Sequence, residues 1–163
     1  MLASKTRGEA KMKKKYRKAV RSFLIEDNNI VAIKYKKGIN KDYYDIPGGK
    51  IETGETSEEA SIREFKEETG MDILKQKCIG HVILEYPDRI YDFDIYVVKK
   101  YNGNPTDFEN NYSMWKNIDV LINEQNIFAS IEIIKYIIKN PKQKIELKIF
   151  CDINHKITKI EEM

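Results

Sequence analysis

Cysteine and histidine are nearly absent. Among 163 residues there are two of each, Cys78 and Cys151, His81 and His155. They lie far apart and in no ligand-like spacing, which argues against a disulfide framework and gives a zinc site no support. Long apolar runs are missing too. None nears the ~18 residues of a membrane span, and the polar N-terminus shows no apolar leader. The expectation is therefore a cytoplasmic chain with no membrane partner. Nor is one sign of charge in excess: Lys+Arg 29 against Asp+Glu 26 leaves +3, too little for a polyelectrolyte devoted to nucleic acid. No internal repeat appears. What remains, 41% of it apolar, suffices for one globular domain with a sizeable core.

The charge is unevenly spread. Residues 1–16 form a basic arm with Lys11, Lys13, Lys14 and Lys15, poor in apolar residues. Such an arm is either solvated and partly disordered or a contact for RNA or phosphate. A domain over 17–142 should follow. Ala19–Ile25 and Ile30–Tyr35 are apolar runs around a turn at Glu26–Asn29, read as a β-hairpin. Tyr43–Ile46 reads as a short strand stopped by Pro47, Gly48 and Gly49. Leu74–Leu84 reads as a strand bent at Gly80. Ile90–Tyr101 alternates as a strand with one buried face. A short strand is expected around Met114–Trp115, and Ile127, Phe128, Ile131, Ile134 and Ile138 have helical spacing ended by Asn140–Pro141. Residues 143–163 alternate on either side of Asp152–His155, a terminal hairpin that either covers the sheet or pairs with a second subunit in a homodimer.

Between these strands lies GKIETGETSEEASIREFKEETGM, residues 49–71. Ser57–Thr69 lacks Gly and Pro and is rich in helix formers. Thr56 or Ser57 can cap its start, with Glu59 or Ala60 at the third helical position, and Gly70 stops it. At ~100° per residue, Glu64, Glu67 and Glu68 share one arc, while Ile62, Phe65 and Thr69 share another that can face a core. Three carboxylates at that spacing repel one another and sit at the end of the helix where the dipole disfavours anions. A divalent cation relieves both penalties, and oxygen ligands at this density suit Mg²⁺ or Mn²⁺. The alternative is a solvated Glu-rich face with Arg63 and Lys66 as counter-charges.

The spacing of Gly49, Glu55, Arg63, Glu64, Phe65, Glu67, Glu68, Gly70 and Met71 resembles the Nudix box at every defined position. The resemblance covers roughly residues 17–140. It implies an α+β Nudix fold, a mixed β-sheet sandwiched between helices, here with the C-terminal β-hairpin added. It also implies hydrolysis of a pyrophosphate linkage in a nucleoside diphosphate derivative, with metal held by Glu64, Glu67, Glu68, the Gly49 carbonyl and, as one option, Glu55. Glu55 can instead pair with Arg63, which would hold a glutamate in place; Glu64, Glu67 or a loop carboxylate could be the general base. Glu85–Arg89 and the turn Asn102–Pro105 are similar to the MutT-like branch, which acts on nucleoside triphosphates. Where that branch carries a base-reading Asn, this chain has Ser130, whose hydroxyl cannot offer an amide's paired donor and acceptor. RNA 5′-ends, ADP-ribose and dinucleoside polyphosphates stay open as substrates, as does a nucleotide-sensing module without catalysis. Arg21 and Lys34 are candidate phosphate contacts. Tyr86, Phe93 and Trp115 are candidates to stack a base, or core residues.

Overall fold

Alternation, caps and turn residues set the order of elements in the computed structural model, which describes residues 13–163. Strand β1 (Lys15–Phe23) is followed by β2 (Ile25–Glu26), β3 (Asn29–Tyr35), β4 (Tyr44–Asp45) and β5 (Gly48–Lys50). Helix α1 (Ser57–Thr69) leads into the long pair β6 (Asp72–Glu85) and β7 (Arg89–Asn102). Then come β8 (Asn111–Asn117), α2 (Ile118–Leu121), a 3₁₀ turn (Ala129–Glu132), α3 (Ile133–Lys139), β9 (Ile145–Cys151) and β10 (Ile157–Glu162). Residues 1–12 of the expected arm lie outside the described residues. Its last two, Lys15 and Tyr16, already belong to β1.

Six strands form one mixed sheet in the order β10-β9-β6-β7-β1-β5. β1 runs parallel to β7 and β6 parallel to β9, while the other neighbours are antiparallel. A second sheet is built on β3, which pairs β2, β4 and β8. The main core lies between the sheets and is closed by the helical segments after β8, with Phe23, Ile30, Phe93, Leu121, Ile131, Ile134 and Ile149 buried. Helix α1 packs on β1, β5, β6 and β8. Its Phe65 joins Leu24, Val31, Met71, Ile73 and Val98, and its Ala60 joins Val20 and Tyr96. A buried Phe contributes about 1.5–3 kcal/mol, so these contacts fix the helix that carries the box.

Several expectations change in tertiary context. The first hairpin is only β2 with β3; β1 leaves it at Leu24 and joins the other sheet between β7 and β5. The β7 strand is buried on both faces where α1 covers it, because Tyr96 and Val98 sit under the helix while Phe93 and Ile95 face the core. Ile62, expected on the core arc of α1, is exposed. The buried positions are Ala60, Ser61, Phe65 and Thr69, a stripe rotated towards β1 and β6. The terminal hairpin extends the main sheet within the chain, β9 lying beside β6. The bend at Gly80 is real. A side chain there would meet the Ile145 carbonyl at 1.9 Å, so glycine permits the close approach of β9.

Candidate active site

The box helix starts on a capping box: Thr56 Oγ1 accepts from the Glu59 amide and the Glu59 carboxylate accepts from the Thr56 amide. It stops at Gly70, whose φ of 75° is left-handed. Between these ends Arg63 organises the carboxylates. Its Nε and Nη2 donate to both Glu55 oxygens at 2.7 and 2.9 Å, a two-pronged pair. Nη1 donates to Glu64 at 2.9 Å and to Glu67 at 3.3 Å, and Nη2 also reaches the Lys50 carbonyl at 3.0 Å. The hydrogen bonds from Arg63 hold the Glu55 carboxyl down to about 2, and the same bonds raise the Arg63 guanidinium above its ordinary value.

The β5 segment brings backbone to these side chains. The Gly48 amide donates to Glu68 at 2.8 Å. A Cβ on Gly49 would fall 2.6 Å from the Glu64 carboxyl carbon, so the missing side chain makes room for that carboxylate. Burial pushes Glu64 up and Glu68 up to about 8. Among the described residues no three acidic, His or Cys side chains are already placed to hold a metal ion together; Arg63 is the shared counter-charge instead. The donor set nonetheless fits a hard divalent cation. It is all oxygen, the space at Gly49 leaves a cradle, and the half-buried Glu64 and Glu68 sit close enough to repel each other without a cation.

Beside the box, on the inner face of β1, Arg21 meets Asp45 at 3.2 Å and lies 4.8 Å from the centre of the Phe93 ring. Burial alone would lower the Arg21 pKa, but Asp45, Tyr35 and the two box glutamates outweigh it and leave the guanidinium firmly charged. Its Nε is buried and has no partner among the described residues. Asp45 also accepts from Ser130 Oγ and the Ile46 amide. A hollow of about 160 Å³ opens here, with Arg21, Asp45, Tyr86, Phe93, Ser130 and His155 among its walls.

The structure thus brings Arg21, Tyr86 and Ser130 to one cavity and Gly49, Glu55, Arg63, Glu64, Glu67 and Glu68 to one neighbouring cluster. Lys34 stands elsewhere: its ammonium lies 5.2 Å from the Tyr44 ring, and it does not line the hollow. Trp115 packs with Tyr101 against the core under α1. Several cavity residues escape the sequence reading as site residues, the polar ones Asp45, Arg89 and His155 among them. Asp45 had a signal, an acid inside the apolar run before Pro47. Arg89 sat in a loop noted only for its family likeness. His155 lay in a hairpin turn and carried no signal.

A family model of the NUDIX domain matches residues 15–121. An 8-oxo-dGTP diphosphatase from Haemophilus influenzae is 37% identical over 71 residues, 44% of this chain and 52% of that protein. An ADP-ribose pyrophosphatase from Methanocaldococcus jannaschii is 42% identical over 71 residues, 44% of this chain and 41% of that protein. The chain thus spans about half the length of these curated relatives. Among solved structures, a MutT protein from Bacillus halodurans superposes with a TM-score of 0.74 at 16% identity, covering 89% of this chain and 96% of its own. MutT from Aliivibrio salmonicida and Vibrio cholerae is represented at 27% identity and a TM-score of 0.62, over 77% of this chain and 98% of that one. With the family model covering well over half of the chain and the box in place on α1, the protein belongs to the NUDIX domain family.

Proposed function

We propose that the chain is a Mg²⁺-dependent pyrophosphohydrolase of nucleoside diphosphate derivatives, with nucleoside triphosphates as the favoured substrates. The observation that carries this reading is the Arg63-centred array of Glu55, Glu64 and Glu67 beside Gly49, one strand away from the buried Arg21. Water would attack a phosphorus and the bridging P–O bond would break, giving a nucleoside monophosphate and pyrophosphate from a triphosphate. Glu64, Glu67, Glu68 and the Gly49 carbonyl would hold the metal. When bound, Mg²⁺ supplies charge neutralisation at the phosphates and activation of water.

The chain's own residues do the rest. Arg63, on a rigid helix, keeps its helix neighbours Glu64 and Glu67 and the loop residue Glu55 in register, which matters because phosphoryl transfer is mostly positioning and electrostatics. A loop carboxylate, or whichever of Glu64 and Glu67 keeps one oxygen off the metal, would take the proton of the attacking water. Arg21 supplies positive charge where the phosphates pass from box to cavity. Tyr86 and Phe93 give the cavity an apolar wall against which a base can lie. A retained sensor without catalysis is disfavoured because every box carboxylate is present.

A second reading, an RNA 5′-end pyrophosphohydrolase, is favoured by one feature. Lys13, Lys15, Arg17 and Arg89 line a groove of about 400 Å³ with Tyr91 and Pro87, and among the described residues Asp88 is its sole acid. Lys13, Lys15 and Arg17 make no ion pair among the described residues; alternation puts Lys15 and Arg17 on the β1 face that carries Arg21, and Lys13 lies just before the strand. Cations interleaved with an aromatic suit a single-stranded backbone.

The test is release of phosphate and pyrophosphate with Mg²⁺ from nucleoside triphosphates, ADP-ribose, dinucleoside polyphosphates and triphosphorylated RNA, with Glu67→Gln alongside. Turnover by the wild type and none by the variant supports the hydrolase. An RNA activity that falls steeply with salt and drops on Lys15→Ala/Arg17→Ala selects the second reading. Silence of the wild type across the panel sinks the hydrolase.

A further inference from the structure

The cavity beside Arg21 is not closed by the region that matches the family. Three of its wall residues, Phe128, Ser130 and His155, lie beyond residue 121. His155 is the unexpected one, since it comes from the turn between β9 and β10, where a side chain would ordinarily point to water. Its backbone is left-handed, with φ of 66°. Outside glycine that conformation is uncommon, and it persists when the surroundings over-determine it. Here they do. The Asp152 carboxylate accepts from the Asn154 and Lys156 amides at 2.8 and 3.0 Å, which braces the turn. The His155 ring is edge-on to Phe128, Tyr86 and Tyr43, with centroids 4.6, 5.4 and 5.5 Å away. Its Nδ1 lies 2.9 Å from the Tyr86 hydroxyl. Ile153, two residues earlier in the same turn, is exposed, so the turn as a whole is not drawn in.

Behind His155 lies a second, larger hollow of about 700 Å³, walled by Tyr43, Gln125, Asn126, Phe128 and Lys156 as well as His155. His155 and Phe128 line both hollows and so divide them. The size contrast decides what each can hold. Sites that take a whole drug-sized ligand run to roughly 300–1,000 Å³. The hollow beside Arg21, at about 160 Å³, seats a group of about one ring system. The larger one has room for a further sugar or nucleoside.

We infer that His155 is a specificity-determining residue, a partition that limits the group seated beside Arg21 and Asp45 and keeps two-ended nucleotides out of the larger hollow. With Nδ1 held by Tyr86, Nε2 is the atom it has left to offer a seated base. The inference rests on the hydrolase reading of this site but not on any chemical role for His155, which makes no contact with Glu64, Glu67 or Glu68.

The experiment compares kcat/KM for nucleoside triphosphates with that for ADP-ribose and dinucleoside polyphosphates, in the wild type, His155→Ala, His155→Gly and His155→Phe. Ala and Gly remove the partition, and Gly also suits the left-handed backbone, so at least one variant should fold as the wild type does by thermal unfolding. The expected result is a shift of the ratio towards the two-ended substrates by about tenfold or more, carried by KM rather than kcat. Phe, which restores a ring, should return the ratio most of the way. An unchanged ratio in a folded Ala or Gly variant overturns the inference, and so does an equal loss for all substrates. If the wild type turns over nothing, the hydrolase reading has failed. Calorimetric Kd values for a triphosphate and ADP-ribose then decide the partition by the same ratio.

Discussion

Gly48 and Gly49 are neighbours on β5, yet replacing each by alanine should do different things. At Gly48 the new Cβ would lie 2.0 Å from the Val20 carbonyl oxygen, a backbone atom held in the β1–β5 ladder. Backbone cannot move aside cheaply. The overlap should cost roughly 1–3 kcal/mol or more, which for a chain of this size lowers Tm by about 2–4 °C per kcal/mol. At Gly49 the new Cβ would lie 2.6 Å from the end of the Glu64 side chain, which can swing away. Folding then loses at most the charge-assisted bond from Arg63 to a partly exposed carboxylate, so Tm should fall by a few degrees or less. Activity should suffer instead. Displacing Glu64 by about 1 Å is enough to cost on the order of a hundredfold. Thermal unfolding and pyrophosphate release, measured on both variants, separate the effects. The reasoning fails if Gly49→Ala retains full activity, or if it loses as much Tm as Gly48→Ala.

Asp45 accepts from Arg21, Ser130 and the Ile46 amide. Asp45→Ala should therefore destabilise by about 3–5 kcal/mol by stranding a buried guanidinium, and denaturant titration would show less for Asp45→Ser, which leaves a small polar group for the Ile46 amide. Chelation by EDTA should abolish turnover, and added Mg²⁺ should restore it, with no change in the far-ultraviolet circular dichroism. Burial and the nearby Arg89 lower the His155 pKa. The unfolded chain then binds the proton more readily, so stability should be full above the ordinary histidine value near ~6.5 and fall as pH drops below it. His155→Gln should flatten that slope between pH 7 and 5 in denaturant titrations. Cys78 is exposed, whereas burial pushes the Cys151 thiol up to about 11. One equivalent of iodoacetamide should react fast at pH 8, and mass spectrometry should place it on Cys78.

How far the sequence could be read follows from how local each feature is. Helix α1 is legible to the residue because the Thr56–Glu59 box and Gly70 act within one turn of their targets. The terminal strands are legible because alternation is a property of neighbours. Which sheet a strand joins is not: β1 and β3 look like partners across a turn, and only the pairing of β1 with β7, about seventy residues later, separates them. The same distinction divides the site. Glu64, Glu67 and Glu68 announce themselves by spacing on one helix, whereas the cavity is closed by residues that meet only after both sheets are in place. Asp45 and Ser130 touch across 85 positions and Tyr86 and His155 across 69. On the proposed reading, the chemistry of this site is therefore readable from a short run of sequence, while its selectivity would rest on contacts that no short run contains. A variant that changes substrate without changing the box should be sought in Asp45, Ser130 and His155, not in α1.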